Sequence, residues 1–184
     1  MAKIDILSPF IESAEGGYVN DPDDPGGATN KGITLKIWKK VGYDKNNDGK
    51  IDKYDVKLIN HADFQTVLKK EFWDVCKGDL IKDQSVANML VDWFYNSGYN
   101  AIYRTQRILG LKVDGIVGQK TLYSINSYNP KHLFLLLKSM RISYLQHCNN
   151  FKKYGRGWLS RVNRIYYGKI KYLTDEKIWK TVNF

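Results

Sequence analysis

Apolar residues recur along most of this chain at intervals of three and four, the spacing of one helix face. Phe10, Ile11 and Ala14 follow Ser8-Pro9, a serine suited to capping and a proline suited to the first helical position, so a helix is expected to start there. Gly16 and Gly17 suit its C-terminus, where positive φ is needed. Thr34 is placed to cap a short helix through Leu35, Ile37, Trp38 and Val41, stopped by Gly42. Asn60 and Asp63 have capping-box spacing, ahead of a helix carrying Phe64, Val67, Leu68, Glu71 and Phe72 toward Trp73. From Gln84 to Asn96 the pattern is apolar nearly all round (Val86, Ala87, Met89, Leu90, Val91, Trp93, Phe94), which predicts a central helix packed on most sides. Asp92 within it must be paired if buried. A short helix over Ile102, Gln106, Ile108 and Leu109 ends at Gly110. A Gly-rich loop over Val113–Gly118, a short helical stretch over Thr121–Ile125 and a long amphipathic helix from Asn129-Pro130 follow. Few stretches alternate with period two, so the expected fold class is mainly α.

Between these elements lie two polar loops. Asp21 to Thr34 is too rich in Pro and Gly to be helix or strand. It is either a mobile connection or a site held open by a rigid scaffold. Asp44–Asp55 places oxygen-bearing side chains at the first, third, fifth, ninth and twelfth positions of a calcium-type loop, with glycine sixth. The expected ligands are Asp44, Asn46, Asp48, the carbonyl of Lys50, Asp52 and Asp55, the last replacing the usual glutamate as in dockerin-type loops. The plain alternative is an Asn/Asp/Gly turn without metal. A single such loop points to a structural ion rather than a sensor.

Composition narrows the classes. The 184 residues, 43% of them hydrophobic, suffice for one domain or two small ones with a real core. The longest aliphatic-aromatic run, Leu133–Leu137, is too short to span a bilayer, and the first residues have no apolar signal-peptide core. The expected localisation is synthesis in the cytoplasm, with any action outside depending on release or export. Cys76 and Cys148 make neither a disulfide framework nor a zinc site and read as two small buried hydrophobes. A formal charge of +10 favours a polyanionic partner: nucleic acid, an anionic membrane or an anionic wall. The mixture of bases and aromatics over Phe151–Tyr167 fits such a partner, and equally a solvated basic face over a core stripe.

Glu15 is the candidate for chemistry. In the last turn of a helix it meets the negative end of the dipole, and partial burial would add to that. Both raise a carboxyl pKa toward the range a general acid needs. On that argument alone the plainer reading is a solvated acid, one of 19. Asn96 reads either as a helix C-cap or as a hydrogen-bonding group in a cleft.

Taken together, Glu15-Gly16-Gly17-Tyr18, Asn20-Asp21-Pro22, Asp24-Pro25-Gly26-Gly27-Ala28-Thr29 and Lys31-Gly32-Ile33-Thr34 resemble the signature of glycoside hydrolase family 108 N-acetylmuramidases. The Asp-rich loop and Asp92–Gly98 are similar to the same family. Gln106–Gly110, Val113–Gly118, Lys120–Leu122, Arg141–Leu145 and Gly155–Leu159 with Arg161 resemble the peptidoglycan-binding half that usually follows. The resemblance implies a lysozyme-like helical architecture, one globule built from a catalytic region over 1–98 and a peptidoglycan-binding region over 99–184. It implies cleavage of the β-1,4 bond between N-acetylmuramic acid and N-acetylglucosamine, with Glu15 as general acid. The family occurs in phage lysis cassettes and bacterial genomes, so a bacteriolytic endolysin or a secreted effector is expected. Asp21, with Asp23 and Asp24 as alternatives, is the candidate second carboxylate, unless a side chain such as Thr29 positions water instead. Tyr18, Thr29, Asn30 and Asn96 are the expected sugar contacts. Expected partners are the anionic wall alone, with no specific nucleic acid and no membrane insertion, for a monomer that needs no catalytic cofactor. A lytic transglycosylase or a non-catalytic wall-binding protein are the competing readings.

Overall fold

A computed structural model describes residues 1–20, 27–174 and 176–184. The first helix, α1 (Ile4–Ala14), begins four residues before the expected Ser8-Pro9 start. Its beginning is fixed by a distant residue: the Gln84 amide accepts from Lys3 N at 2.7 Å and donates to Lys3 O at 2.9 Å. Ser8 therefore lies buried inside α1 and accepts from Gln65 Nε2. Pro9 sits mid-helix, and burial of Leu7, Phe10 and Ile11 offsets the hydrogen bond it removes. The expected positive φ at Gly16 and Gly17 is not found; Glu15 itself leaves the helix in extended conformation (φ −92, ψ 149).

Two short strands follow, β1 (Thr29–Asn30) and β2 (Ile33–Thr34), joined by Lys31-Gly32 with φ of 50 and 74. Two successive positive φ values match the turn that suits strand twist in a two-residue hairpin. Thr34 caps α2 (Leu35–Val41), its hydroxyl accepting from Ile37 N at 3.3 Å as its position predicts. Helices α3 (Lys53–Lys57) and α4 (His61–Leu68) both start in complete capping boxes, Asp52 with Asp55 and Asn60 with Asp63. A π-helical turn over Lys69–Trp73 continues α4 and brings Trp73 into the core.

Helix α5 (Gln84–Ser97) is the centre of the molecule, with every residue from Ser85 to Phe94 buried. Around it pack α1, α6 (Asn100–Ile108), α8 (Pro130–Gln146) and β3 (Ile165–Tyr166). α7 (Gln119–Ser127) lies against α8, and α9 (Phe151–Asn163) returns along α8. The loop before α7 is clamped by Gln106, whose amide contacts Asp114, Gly115, Ile116 and Thr121. Cys76 is fully buried and Cys148 half-buried, both as free thiols. No helix among the described residues is long and apolar enough to cross a membrane.

The expected helical class is borne out, but the chain ends in an antiparallel hairpin that period-two reading missed. β4 (Lys169–Leu173) pairs with β3 and with β5 (Trp179–Asn183), in register Ile170↔Val182 and Leu173↔Trp179. Only Ile170 and Tyr172 point inward from β4, too brief an alternation to stand out. They lay the hairpin on α1.

The Asp-rich loop is held by its own carboxylates. Asp55 has no accessible surface. Its oxygens accept from Lys45 N at 2.7 Å, Asn46 N at 3.3 Å and Asp52 N at 2.7 Å. Burial pushes the carboxyl pKa up, but these amides outweigh it and hold it below the ordinary value. Asp55→Ala is expected to lower stability by about 1–3 kcal/mol in urea denaturation with chelator present, because three amides lose their acceptor.

Candidate active site

Glu15 emerges at the C-terminus of α1 onto a groove of about 650 Å³. α1 contributes Glu12 and Ser13, its C-cap is Glu15, the first hairpin contributes Asn30 and Lys31, α4 His61, and β4 Tyr172 and Leu173, with Thr174 just beyond. The Lys31-Gly32 turn closes over the carboxyl so tightly that a Cβ on Gly32 would overlap Tyr95 Oη and Glu15 Oε2. The turn is anchored by Lys31 N to Gly16 O at 3.2 Å and by Tyr95 Oη to Lys31 O at 3.3 Å. Glycine at residue 32 is therefore demanded twice, by backbone φ and by the space the glutamate occupies.

Behind Glu15 runs a chain of charges. Arg161 Nη1 donates to Glu15 Oε1 at 3.0 Å, while its Nε and Nη2 reach Asp92 Oδ1 at 3.1 and 2.8 Å. Arg141 Nη2 pairs with Asp92 Oδ2 at 2.7 Å. Arg161 lies near the rings of Phe10 and Tyr95, with centroids 5.7 and 5.8 Å from its Cζ, so its guanidinium plane is packed as well as bonded. Asp92 and Arg141 are 0% and 2% exposed at the side chain, so the pairing required of a buried Asp92 is present.

The two acids respond oppositely to burial. Desolvation raises the Glu15 pKa above its ordinary 4.5, Arg161 lowers it, and the Asp92 charge raises it; burial prevails. Desolvation also pushes Asp92 upward, but Arg161 and Arg141 together outweigh it and hold Asp92 below 3.8. One cation shared between two acids thus leaves the deeper one ionised and the groove-facing one inclined to keep its proton. Desolvation, with the charge of Glu15 next, pushes the Tyr95 phenol far above its ordinary value, so that it stays a neutral donor.

The expected sugar contacts are dispersed. Asn30 lines the groove, but its amide is spent on Val56 O at 2.9 Å and Lys57 O at 3.2 Å. Tyr18 packs partly buried against the core, and neither it nor Thr29 is among the groove-lining residues. Thr29 pairs through its backbone with Val19. Asn96 Nδ2 donates to Asp92 O at 2.7 Å and borders a separate cavity of about 150 Å³ with Arg141, Tyr144, Trp158 and Arg161. Asp21, Asp23 and Asp24 lie outside the described residues. The other acid on the groove is Glu12, already bonded to Lys31 Nζ at 2.9 Å and to His61 Nδ1 at 2.6 Å.

The Asp-rich loop splits the expected metal ligands. Asp55 does not fit, its oxygens being taken by amides, and Asp52 caps α3 through Tyr54 N at 2.8 Å. Asp44, Asn46 and Asp48 accept from amides within the loop, and the Asn46 amide donates to Asp48 Oδ2 at 2.9 Å. Among the described residues no group of three or more His, Cys, Asp or Glu is arranged to hold a metal ion.

Because the folded-state pKa of Asp92 is depressed, the stability it contributes is present above pH 3.8 and lost as pH falls through the folded value. Asp92→Asn, which leaves Arg141 buried without its counter-charge, is expected to cost about 3–5 kcal/mol near pH 7, with the gap to wild type narrowing in acid. Urea titrations of both chains across pH check this.

Known proteins account for both halves of this arrangement. The model of the family described as Glycosyl hydrolase 108 matches residues 8–98, and that described as Predicted Peptidoglycan domain matches residues 100–163. No curated protein matches the chain. Among solved structures it is similar to SagA of Brucella abortus, at 31% identity and a TM-score of 0.70, over 85% of this chain and 87% of that one. The shared architecture is the helical, lysozyme-like one that the sequence predicts. On this identity and coverage the chain belongs to glycosyl hydrolase family 108, and it is a glycoside hydrolase acting on peptidoglycan.

Proposed function

We propose that the chain is an N-acetylmuramidase that cleaves the β-1,4 bond between N-acetylmuramic acid and N-acetylglucosamine, with Glu15 as the general acid. The observation that carries this reading is the placement of one desolvated carboxyl on the groove wall, its pKa raised by burial and its position fixed by Arg161, Tyr95 and the Lys31-Gly32 turn. A protonated Glu15 gives its proton to the glycosidic oxygen as the bond breaks, and the oxocarbenium-like transition state needs water or a nucleophile on the opposite face. Asp21 is our candidate for activating that water or attacking directly. Glu12 is the poorer candidate because two donors already hold it. In this reading residues 1–98 supply the catalytic acid, and residues 99–184 buttress it and hold the wall. A net charge of +10 suits an anionic wall, which the protein reaches after release by a lysis partner or export by a secretion machine.

Glu15→Gln is expected to abolish the release of reducing ends from purified peptidoglycan while the circular-dichroism spectrum stays that of wild type. Products with hydrated reducing ends support hydrolysis; anhydro-muramyl ends would assign the same glutamate to a transglycosylase. Near-normal turbidity clearing by the variant would falsify the assignment. The pH dependence has a defined sign. Activity requires the protonated acid, so it falls as pH rises through a Glu15 pKa above 4.5. Arg161 lowers that pKa, so Arg161→Gln moves this limb to higher pH, measured as kcat/KM against pH. Ionising a group with a raised folded pKa costs stability from pH 4.5 upward, so Glu15→Gln should be no less stable than wild type near neutrality.

For the Asp-rich loop we propose a weak structural calcium site built on Asp44, Asn46, Asp48 and the carbonyl of Lys50, without Asp55. Millimolar calcium is then expected to raise the melting temperature of wild type and not of Asp44→Ala. An equal response of the two chains, or no response of either, would sink the proposal.

A further inference from the structure

Residues 164–184 follow the stretches that either family model matches, yet β4 from this segment forms one wall of the Glu15 groove. Cross-strand partners in an antiparallel pair share a face. Ile170 and Tyr172 point inward onto α1, so Lys169, Lys171 and Leu173 point outward, together with their partners Asn183, Thr181 and Trp179. Leu173 lines the groove, and Trp179 directly opposite it is 52% exposed. The Trp179 ring is accompanied by two cations, Lys171 Nζ at 5.2 Å and Arg164 Cζ at 5.6 Å from its centroid. Arg164 Nε is buried without a hydrogen-bond partner. Residues 164–184 carry five basic and two acidic side chains. The exposed Trp179 thus sits one cross-strand pair from the groove, through Leu173, and an exposed tryptophan stacks well on apolar ring faces.

We propose that this outward face is a substrate subsite that extends the Glu15 groove and takes the acidic, peptide-bearing part of a peptidoglycan strand. Trp179 offers a platform to the apolar face of a sugar ring. Lys171 pairs with a carboxylate of the stem peptide, Arg164 lies near both Trp179 and the buried Phe10 ring and backs the platform, and Leu173 joins the platform to the groove. The proposal rests on the peptidoglycan-cleaving reading above and adds to it a place where the substituents of the glycan are recognised. It assigns a role to a hairpin that neither family model covers.

The test measures binding in the non-cleaving Glu15→Gln chain, by co-sedimentation with purified sacculi and by titration with glycan strands whose peptides an amidase has removed. Trp179→Leu keeps apolar bulk on the hairpin and removes the aromatic face. It is expected to weaken binding to both ligands about tenfold, as the loss of a tryptophan hot spot does. Lys171→Gln keeps most of the aliphatic stem. It is expected to weaken binding to intact sacculi only, with the difference vanishing at high salt. Tyr54→Leu removes an exposed aromatic on α3, outside this face, the groove and the wall-binding half, and serves as the control that binds like its parent. Melting temperatures establish that each variant keeps its hairpin. Parental affinity of folded Trp179→Leu, or equal loss by Lys171→Gln on intact and stripped strands, would overturn the subsite while leaving the cleavage reading intact. Failure of the Glu15→Gln parent to bind either ligand, with wild type releasing no reducing ends, would overturn both.

Discussion

Arg161 is the constraint on which the site depends. It is the sole bridge described between Glu15 at the groove and Asp92 in the core, and it spans 146 residues of sequence to reach the first. Two acids and two arginines in line could have been arranged as two neutral pairs. Instead, Arg141 and Arg161 both serve Asp92, and Glu15 receives one hydrogen bond from a guanidinium already committed elsewhere. The core acid is over-compensated and the groove acid under-compensated. A buried ion network of this kind contributes little net stability. Its effect is to fix a cation at one place and to divide it unequally.

That division explains why helix-end position was an incomplete reason to expect a raised pKa at Glu15. The dipole argument treats the residue as part of α1, yet Glu15 has left the helix in extended conformation, with its amide bonded to Glu12 O. The dominant cause is desolvation by groups brought from far along the chain: the Lys31-Gly32 turn, Tyr95 and α9. The raised pKa expected at Glu15 is present, but burial rather than helix position is its main cause.

What was legible followed locality. Helix periodicity, the Thr34, Asn60 and Asn129 caps, and the all-round burial of α5 are properties of short windows, and they appear as read. The start of α1 was misplaced because its N-cap residue, Lys3, is held by the amide of Gln84, 81 residues away. The hairpin was missed because only Ile170 and Tyr172 on β4 mark an inner face. At the site, the need for a partner for Asp92 was readable, but its identity was not: Arg141 lies within the amphipathic α8, and Arg161 among many bases in a stretch that composition marks only as basic and aromatic. Asn30 has a role that was hidden for a related reason. A polar residue next to a Gly turn looks available for ligand, whereas its amide holds the carbonyls at the end of α3.

The order in which the chain is made gives the Glu15–Arg161 bond a further meaning. Glu15, the turn at Lys31-Gly32 and Asp92 all emerge early in synthesis, while α9 comes late, and contacts of such large sequence separation are the last and slowest to close. Until α9 docks, Glu15 lacks its hydrogen bond and Asp92 has at most one of its two counter-charges. The Glu15 carboxyl meets its guanidinium partner only when α9 is in place. A nascent or truncated chain that lacks α9 therefore holds Glu15 and Asp92 without the cation that links them.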